Sequence, residues 1–206
     1  ADLEAELLYS YRKQGARFEA YPSIVAAGDN ACVLHYSRNE SPIAAGDLVL
    51  IDAGCEFAYY AADVTRTYPA SGRYNQAQRA LYDLVLKANR GAIAACRPGT
   101  DFNQPHDVAT QILVDGLIAL GLLRGAAQAL IASCAHEKFC PHKTSHWLGL
   151  DVHDVGDYRL GEQWRDLMPG MVLTIEPGIY IPRDSTTADV PEAFRGIGIR
   201  VEDSVL

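Results

Sequence analysis

Four carboxylates in this chain stand where apolar side chains belong. Asp52 closes the apolar run of DLVLIDAG, Asp63 lies in FAYYAADVTRTYP, Glu176 ends the apolar run of MVLTIEPGIY, and Glu202 sits inside GIGIRVEDSVL. Each run otherwise reads as buried β-strand, and burying an unpaired carboxylate costs several kcal/mol at least. Brought within about 4 Å at an effective dielectric near 20, each like-charge pair would cost roughly 4 kcal/mol. Two divalent cations would set +4 against the −4 of these acids. The pattern therefore predicts a fold that draws distant acids onto a shared metal centre.

The donor set is hard oxygen with one or two imidazoles. Such a set suits manganese, cobalt or iron better than a thiolate-seeking metal, and zinc also fits. The imidazoles cluster in PHKTSHWLGLDVHDVG, which holds His142, His146 and His153 with Asp151 and Asp154 among them. A Ser145-His146-Asp151 triad lacks a GxSxG nucleophile elbow. Trp147 and Trp164 read as packing residues, and Cys134 and Cys140 as ordinary thiols.

Composition narrows the remaining classes. The 206 residues, 49% hydrophobic and 21% charged, predict one globular domain over 1–206. The net charge of −8 comes without a lysine or arginine run, which argues against nucleic-acid and anionic-membrane partners. Five scattered cysteines without CxxC spacing predict neither a disulfide framework nor structural zinc, and fit a reducing cytoplasm. Neither a signal-like leader nor an apolar stretch of about 18 residues stands out.

Helical spacing of apolar residues predicts helices over 2–14, 76–96, 105–120 and 126–133. Short β-branched or aromatic runs predict strands in SIVAAG, CVLHYS, DLVLIDAG and FAYYAADVTRTYP, and again over 144–149, 171–176 and 197–206. Strand block, helical middle and second strand block predict an α+β domain, with curved antiparallel strands around a site and helices outside. A Pro-, Asp- and Thr-rich loop over 181–195 reads as an exposed excursion near that site. DAG at Asp52 and EPG at Glu176 hint at duplicated halves.

YPSIVAAGDNACVLHYSRNE, GDLVLIDAGCEFAYYAADVTRTYP, SHWLGLDVHDVG, PGMVLTIEPGIYIP and FRGIGIRVEDSVL, in this order, resemble the Xaa-Pro aminopeptidases of the creatinase and methionine aminopeptidase superfamily. The resemblance covers nearly the whole chain and implies the α+β "pita-bread" fold with pseudo-twofold halves. It implies that Asp52, Asp63, His146, Glu176 and Glu202 hold two divalent ions, Mn2+ first among the choices. Asp63 and Glu202 would bridge the pair, Asp52 would complete one ion, and His146 with Glu176 the other. It further implies that His35, His142, His153 and Arg200 meet the substrate, with Arg200 also bracing the ligands. One departure is Lys143, which follows His142 where the family has glycine and restricts the backbone geometry that a glycine allows.

The implied activity is hydrolysis of the N-terminal Xaa-Pro bond by a metal-bridging hydroxide. Glu176 would accept the proton, and His35 and His153 would hydrogen-bond the substrate or the developing oxyanion. The partners are peptides with proline second, and homo-oligomerisation is left open. The alternatives are a dipeptide-specific prolidase, a methionine aminopeptidase and a metal-free binding module of the same fold. In that family an N-terminal domain precedes the catalytic one, so the chain reads as a fragment that also stops four residues after Glu202.

Overall fold

The computed structural model describes residues 1–185 and 190–206. In chain order the elements are α1 (Asp2–Lys13), β1 (Phe18–Glu19), β2 (Ile24–Ala27), β3 (Leu48–Asp52), β4 (Cys55–Phe57), β5 (Tyr60–Ala61) and β6 (Thr65–Pro69). Three helices follow, α2 (Gln76–Ala95), α3 (Gln104–Ala119) and α4 (Ala127–Ala132). The second strand block holds β7 (Arg159–Leu160), β8 (Gln163–Trp164), β9 (Leu173–Ile175), β10 (Gly178–Ile181), β11 (Ile197–Arg200) and β12 (Asp203–Val205).

Every strand pairing is antiparallel. The first block forms β2-β3-β6, which sets Asp52 opposite both Ile24 and Thr65. The second forms the pairs β10-β11 and β9-β12. The blocks meet where Glu202 N–H donates to the Thr65 carbonyl and Thr67 Oγ1 donates to the Arg200 carbonyl.

Local chemistry accounts for the helices. α1 carries Asp2 and Glu4 in its first turn and Arg12 and Lys13 in its last, the arrangement favoured by the helix dipole. α2 starts from a reciprocal Asn75/Gln78 capping box, and α3 opens on Pro105, whose missing N–H costs nothing in the first turn. Alternation then sorts the strands. Ile179, Ile181, Ile197 and Ile199 point into one core with Leu81, Val85, Ala88, Leu113 and Leu117 of the helices. Their neighbours Tyr180 and Arg200 lie on the other face, where Tyr180 packs in a second cluster with Ile24 and Leu50 and its hydroxyl accepts from Arg200.

Four expectations change. CVLHYS forms no strand: a 3-10 turn, Gly28–Cys32, precedes it, and its irregular path brings His35 to the cavity. The 144–149 segment is not a regular strand but an extended stretch bridged at Trp147–Leu173, and it runs beside β9 through backbone bonds from Leu148 N–H to Val172, Thr174 N–H to His146 and Glu176 N–H to Thr144. The 197–206 strand is broken at Val201–Glu202, where the chain changes partner from β10 to β9. The predicted 181–195 loop begins in β10, buries Val190 and makes a 3-10 turn at Glu192–Phe194; residues 186–189 lie outside the described residues.

Gly54 sets the spacing between the two aspartates. A Cβ there would lie 1.7 Å from the Ala62 carbonyl oxygen, so the turn after Asp52 can touch the segment before Asp63 only without a side chain. Gly54→Ala is expected to lower stability by at least about 1–3 kcal/mol, the usual cost of overpacking, because backbone has no rotamer to yield. Urea unfolding of the metal-free protein measures it, and an unchanged midpoint would refute this account of the contact.

Candidate metal centre

Asp52 ends β3, Asp63 lies in the connection between β5 and β6, Glu176 follows β9, and Glu202 occupies the break between β11 and β12. His146 comes from the irregular segment beside β9, where its N–H donates to Thr174 Oγ1. Strand ends and breaks thus aim these side chains inward. Asp52, Asp63 and Glu202 are buried, and His146 and Glu176 nearly so.

The groups converge. His146 Nε2 stands 3.4 Å from Asp63 Oδ2 and 3.5 Å from Glu176 Oε1. Asp63, His146 and Glu202 each offer a ligand atom within 4.8 Å of the others. Asp52 joins through Tyr21, whose hydroxyl lies 2.6 Å from Asp52 Oδ1 and 2.5 Å from Asp63 Oδ1 and donates its single proton to one of them at a time. All five expected ligand residues line one cavity of about 440 Å³, with His35, His142, His153 and Arg200 also on its wall.

Charge makes this cluster costly as it stands. Burial, then the charges of Glu176, Asp63 and Asp52, push Glu202 well above the usual carboxylate range. Burial likewise raises Glu176. For His146 burial works against the proton, but Asp63, the Trp147 carbonyl and Glu176 outweigh it, and the imidazole is raised. Its Nδ1 lies 2.9 Å from the Trp147 carbonyl, so Nδ1–H donates there and Nε2 is left for a cation. Arg200 bonds Asp52 at 2.6 Å, which balances one negative charge of the four. Four oxygen donors and one imidazole with unbalanced charge match what divalent cations require.

Bracing residues complete the site. Arg200 Nη1 donates to Tyr180 at 2.8 Å, Tyr180 O–H meets His142 Nε2 at 2.8 Å, and His142 Nδ1–H donates to the Lys143 carbonyl at 2.8 Å. Burial holds His142 down at about 4, consistent with a neutral ring in this relay. Lys143 lies outside the left-handed backbone region, so the glycine departure imposes no strain and leaves His142 on the cavity wall. His153 packs edge-on against His146 at 4.3 Å. Ser145 Oγ makes no hydrogen bond, which removes the serine triad, and all five cysteines are free thiols.

Several supports were not foreseen from the sequence. Thr65 donates to Glu202 Oε2 at 2.6 Å and accepts from Arg200 Nε. Asn89 of α2 donates to the carbonyls of Ile175 and Val201, the residues just before Glu176 and Glu202. The alternation Thr65, Arg66, Thr67 was a usable signal, because two fully buried threonines on one strand face require polar partners. Tyr21 and Asn89 carry no comparable mark.

The whole chain, residues 1–206, matches metallopeptidase family M24. The chain belongs to this family. This M24 chain is 51% identical over 205 residues to the Xaa-Pro aminopeptidase of Haemophilus influenzae, covering 100% of itself and 47% of that protein. The aminopeptidase PepP structure of Pseudomonas aeruginosa superposes with a TM-score of 0.97 at 53% identity, over 99% of this chain and 46% of that one. A zinc-substituted Escherichia coli aminopeptidase P in complex with product gives 0.94 at 50% identity, over 98% and 45%. The α+β pita-bread architecture is thereby shown, and the M24 chain spans about half the length of the curated relatives it matches. Among the described residues, no helix is long and apolar enough to cross a membrane.

Two measurements follow from the electrostatics. Mn2+ added to metal-free protein is expected to raise stability by about 2.7 kcal/mol at a hundredfold excess over Kd. Glu202→Gln should remove most of that gain while leaving the metal-free form at least as stable, since it deletes a buried charge. Separately, burial and Lys143 lower His106 to about 4 from 6.5. The unfolded chain then binds the proton first, so stability falls as pH drops from 6.5 toward 4, by up to about 3 kcal/mol. In His106→Asn, urea titrations across that window should show this part of the slope gone.

Proposed function

We propose that the chain carries the catalytic site of an Xaa-Pro aminopeptidase that works with two divalent cations. The observation that supports it most directly is the convergence of Asp63, His146 and Glu202 within 4.8 Å, flanked by Asp52 and Glu176. Asp63 and Glu202 would be shared between the ions, Asp52 would complete one, and His146 with Glu176 the other. Manganese is the preferred ion by donor type, with cobalt, iron and zinc as substitutes. When bound, such a pair lowers the pKa of water from 15.7 toward neutrality and polarises the scissile carbonyl.

The chain's own residues supply the remainder. Glu176, whose proton affinity burial raises, can take a proton from the attacking water at Oε and return it to the leaving proline nitrogen. His35 and His153 on the cavity wall can donate to the carbonyl oxygen as charge develops there. The Arg200-Tyr180-His142 relay fixes the wall that the substrate passes. The free amine of the substrate belongs at the Asp52 end, which confines cleavage to the first peptide bond. Proline after that bond offers no N–H, so the site must read ring shape and carbonyls instead. The names of two curated relatives, Xaa-Pro aminopeptidase in both Haemophilus influenzae and Escherichia coli, support this substrate class.

Purified full-length protein loaded with Mn2+ is expected to hold about two ions per chain and to release the first residue of Xaa-Pro tripeptides. Asp63→Asn should lose activity by a factor of about 10³ or more, in line with losing a group that several transition-state interactions share. Cleavage of Xaa-Pro dipeptides with tripeptides left intact would replace the aminopeptidase reading with prolidase.

A further inference from the structure

Beside the acid cage lies a second cavity of about 280 Å³, just below the usual range for ligand pockets. Phe102, Tyr158 and Trp164 give it aromatic walls, with Phe102 4.7 Å from Tyr158 and 6.4 Å from Trp164 by ring centroid. The Arg159 guanidinium, 3.9 Å over the Trp164 ring, holds one wall in place. This slot adjoins the acid cavity, since Lys143 and Ser145 line both. At that junction the Ser145 hydroxyl is shielded from solvent and has no hydrogen-bond partner.

The junction also holds an uncommitted charge. Among the described residues, the acid cavity is lined by two cations, Arg200 and Lys143. Arg200 is bonded to Asp52, whereas among the described residues Lys143 makes no ion pair within 4.0 Å, Asp107 being the carboxylate that feels its charge. Its ammonium instead lies 3.4 Å from His106 Nε2, and His106 Nδ1 is anchored 2.9 Å from Thr144 Oγ1. Lys143 and His106 both line the slot, so the contact sets the ammonium against the slot's wall. A cation on the wall of an aromatic slot, on a chain of net charge −8, is complementary to an apolar side chain next to a carboxylate.

The order of groups gives the direction. Asp52 stands at the Tyr21 end of the acid cluster, and His146 with Glu176 at the other. Lys143 and Ser145 adjoin His146 in the chain. We propose that the slot receives the side chain of the residue after the proline, and that Lys143 binds that residue's carboxylate. This rests on the peptidase reading with the substrate amine at Asp52, and it makes Lys143 a specificity-determining residue for short peptides ending in a large apolar residue.

N-acetyl-phenylalanine and its amide serve as probes, titrated into the full-length, Mn2+-loaded protein while the heat of binding is followed by calorimetry. The acid is expected to bind about fivefold tighter than the amide, the range of a partly exposed ion pair. Lys143→Gln should erase that preference without weakening the amide, and Trp164→Ala should weaken both probes alike. With Xaa-Pro-Phe peptides, the free acid should show a KM lower by a similar factor than its amide at unchanged kcat. Equal affinity for the two probes, or a preference that survives Lys143→Gln, overturns the proposal. Cleavage of both peptides without discrimination overturns the slot and keeps the peptidase reading. Discrimination between probes without cleavage of either peptide keeps Lys143 as a carboxylate-binding residue but overturns the slot's assignment to a substrate side chain together with the peptidase reading.

Discussion

Mutual repulsion among buried carboxylates is the constraint around which this structure is arranged. Asp52, Asp63, Glu176 and Glu202 face one cavity with a single guanidinium bonded to the group. Hydrogen bonds from Tyr21 and Thr65 and the charge of Arg200 reduce the cost without removing it. The cluster is therefore stable only at raised proton affinity or with cations in place, and both states follow from one Coulombic account. Proton and cation compete for the same oxygens.

Holding such a cluster together requires rigid supports, and the strands provide them at their ends. A continuous ladder would consume the backbone and fix side chains in strict alternation. Here β3 stops at Asp52, β9 stops before Glu176, and the last strand breaks at Glu202. Asn89 spans two of these interruptions, satisfying carbonyls that a continuous sheet would have paired. Gly54 lets the third come into contact with the segment that carries Asp63. The helical layer thus connects to the chemistry through one amide side chain as well as through apolar packing.

The cavity walls divide by chemistry. A relay of directional hydrogen bonds runs from Arg200 through Tyr180 to His142, and Lys143, next in the chain, lines both this cavity and the adjoining aromatic one. A polar, charge-dense centre with an apolar extension suits a substrate whose reacting bond is polar and whose flanking side chains are not.

The sequence by itself determined the helices to within a residue or two, because capping residues and a 3.6-residue apolar period act locally. It also marked the four acids, since a carboxylate in an apolar strand is anomalous wherever it occurs, and the histidines, which crowd into one short segment. What only the tertiary structure decided is non-local. The strand breaks at Glu202, the loss of a strand at CVLHYS, and the parts played by Tyr21, Thr65, Asn89 and Tyr180 all depend on neighbours up to 137 residues away. A tyrosine before a strand or an asparagine on a helix has the same local propensities whether or not it touches a carboxylate or a strand carbonyl. Hydrogen-bond partners are set by where the chain returns in space, and short-range spacing contains no record of that return.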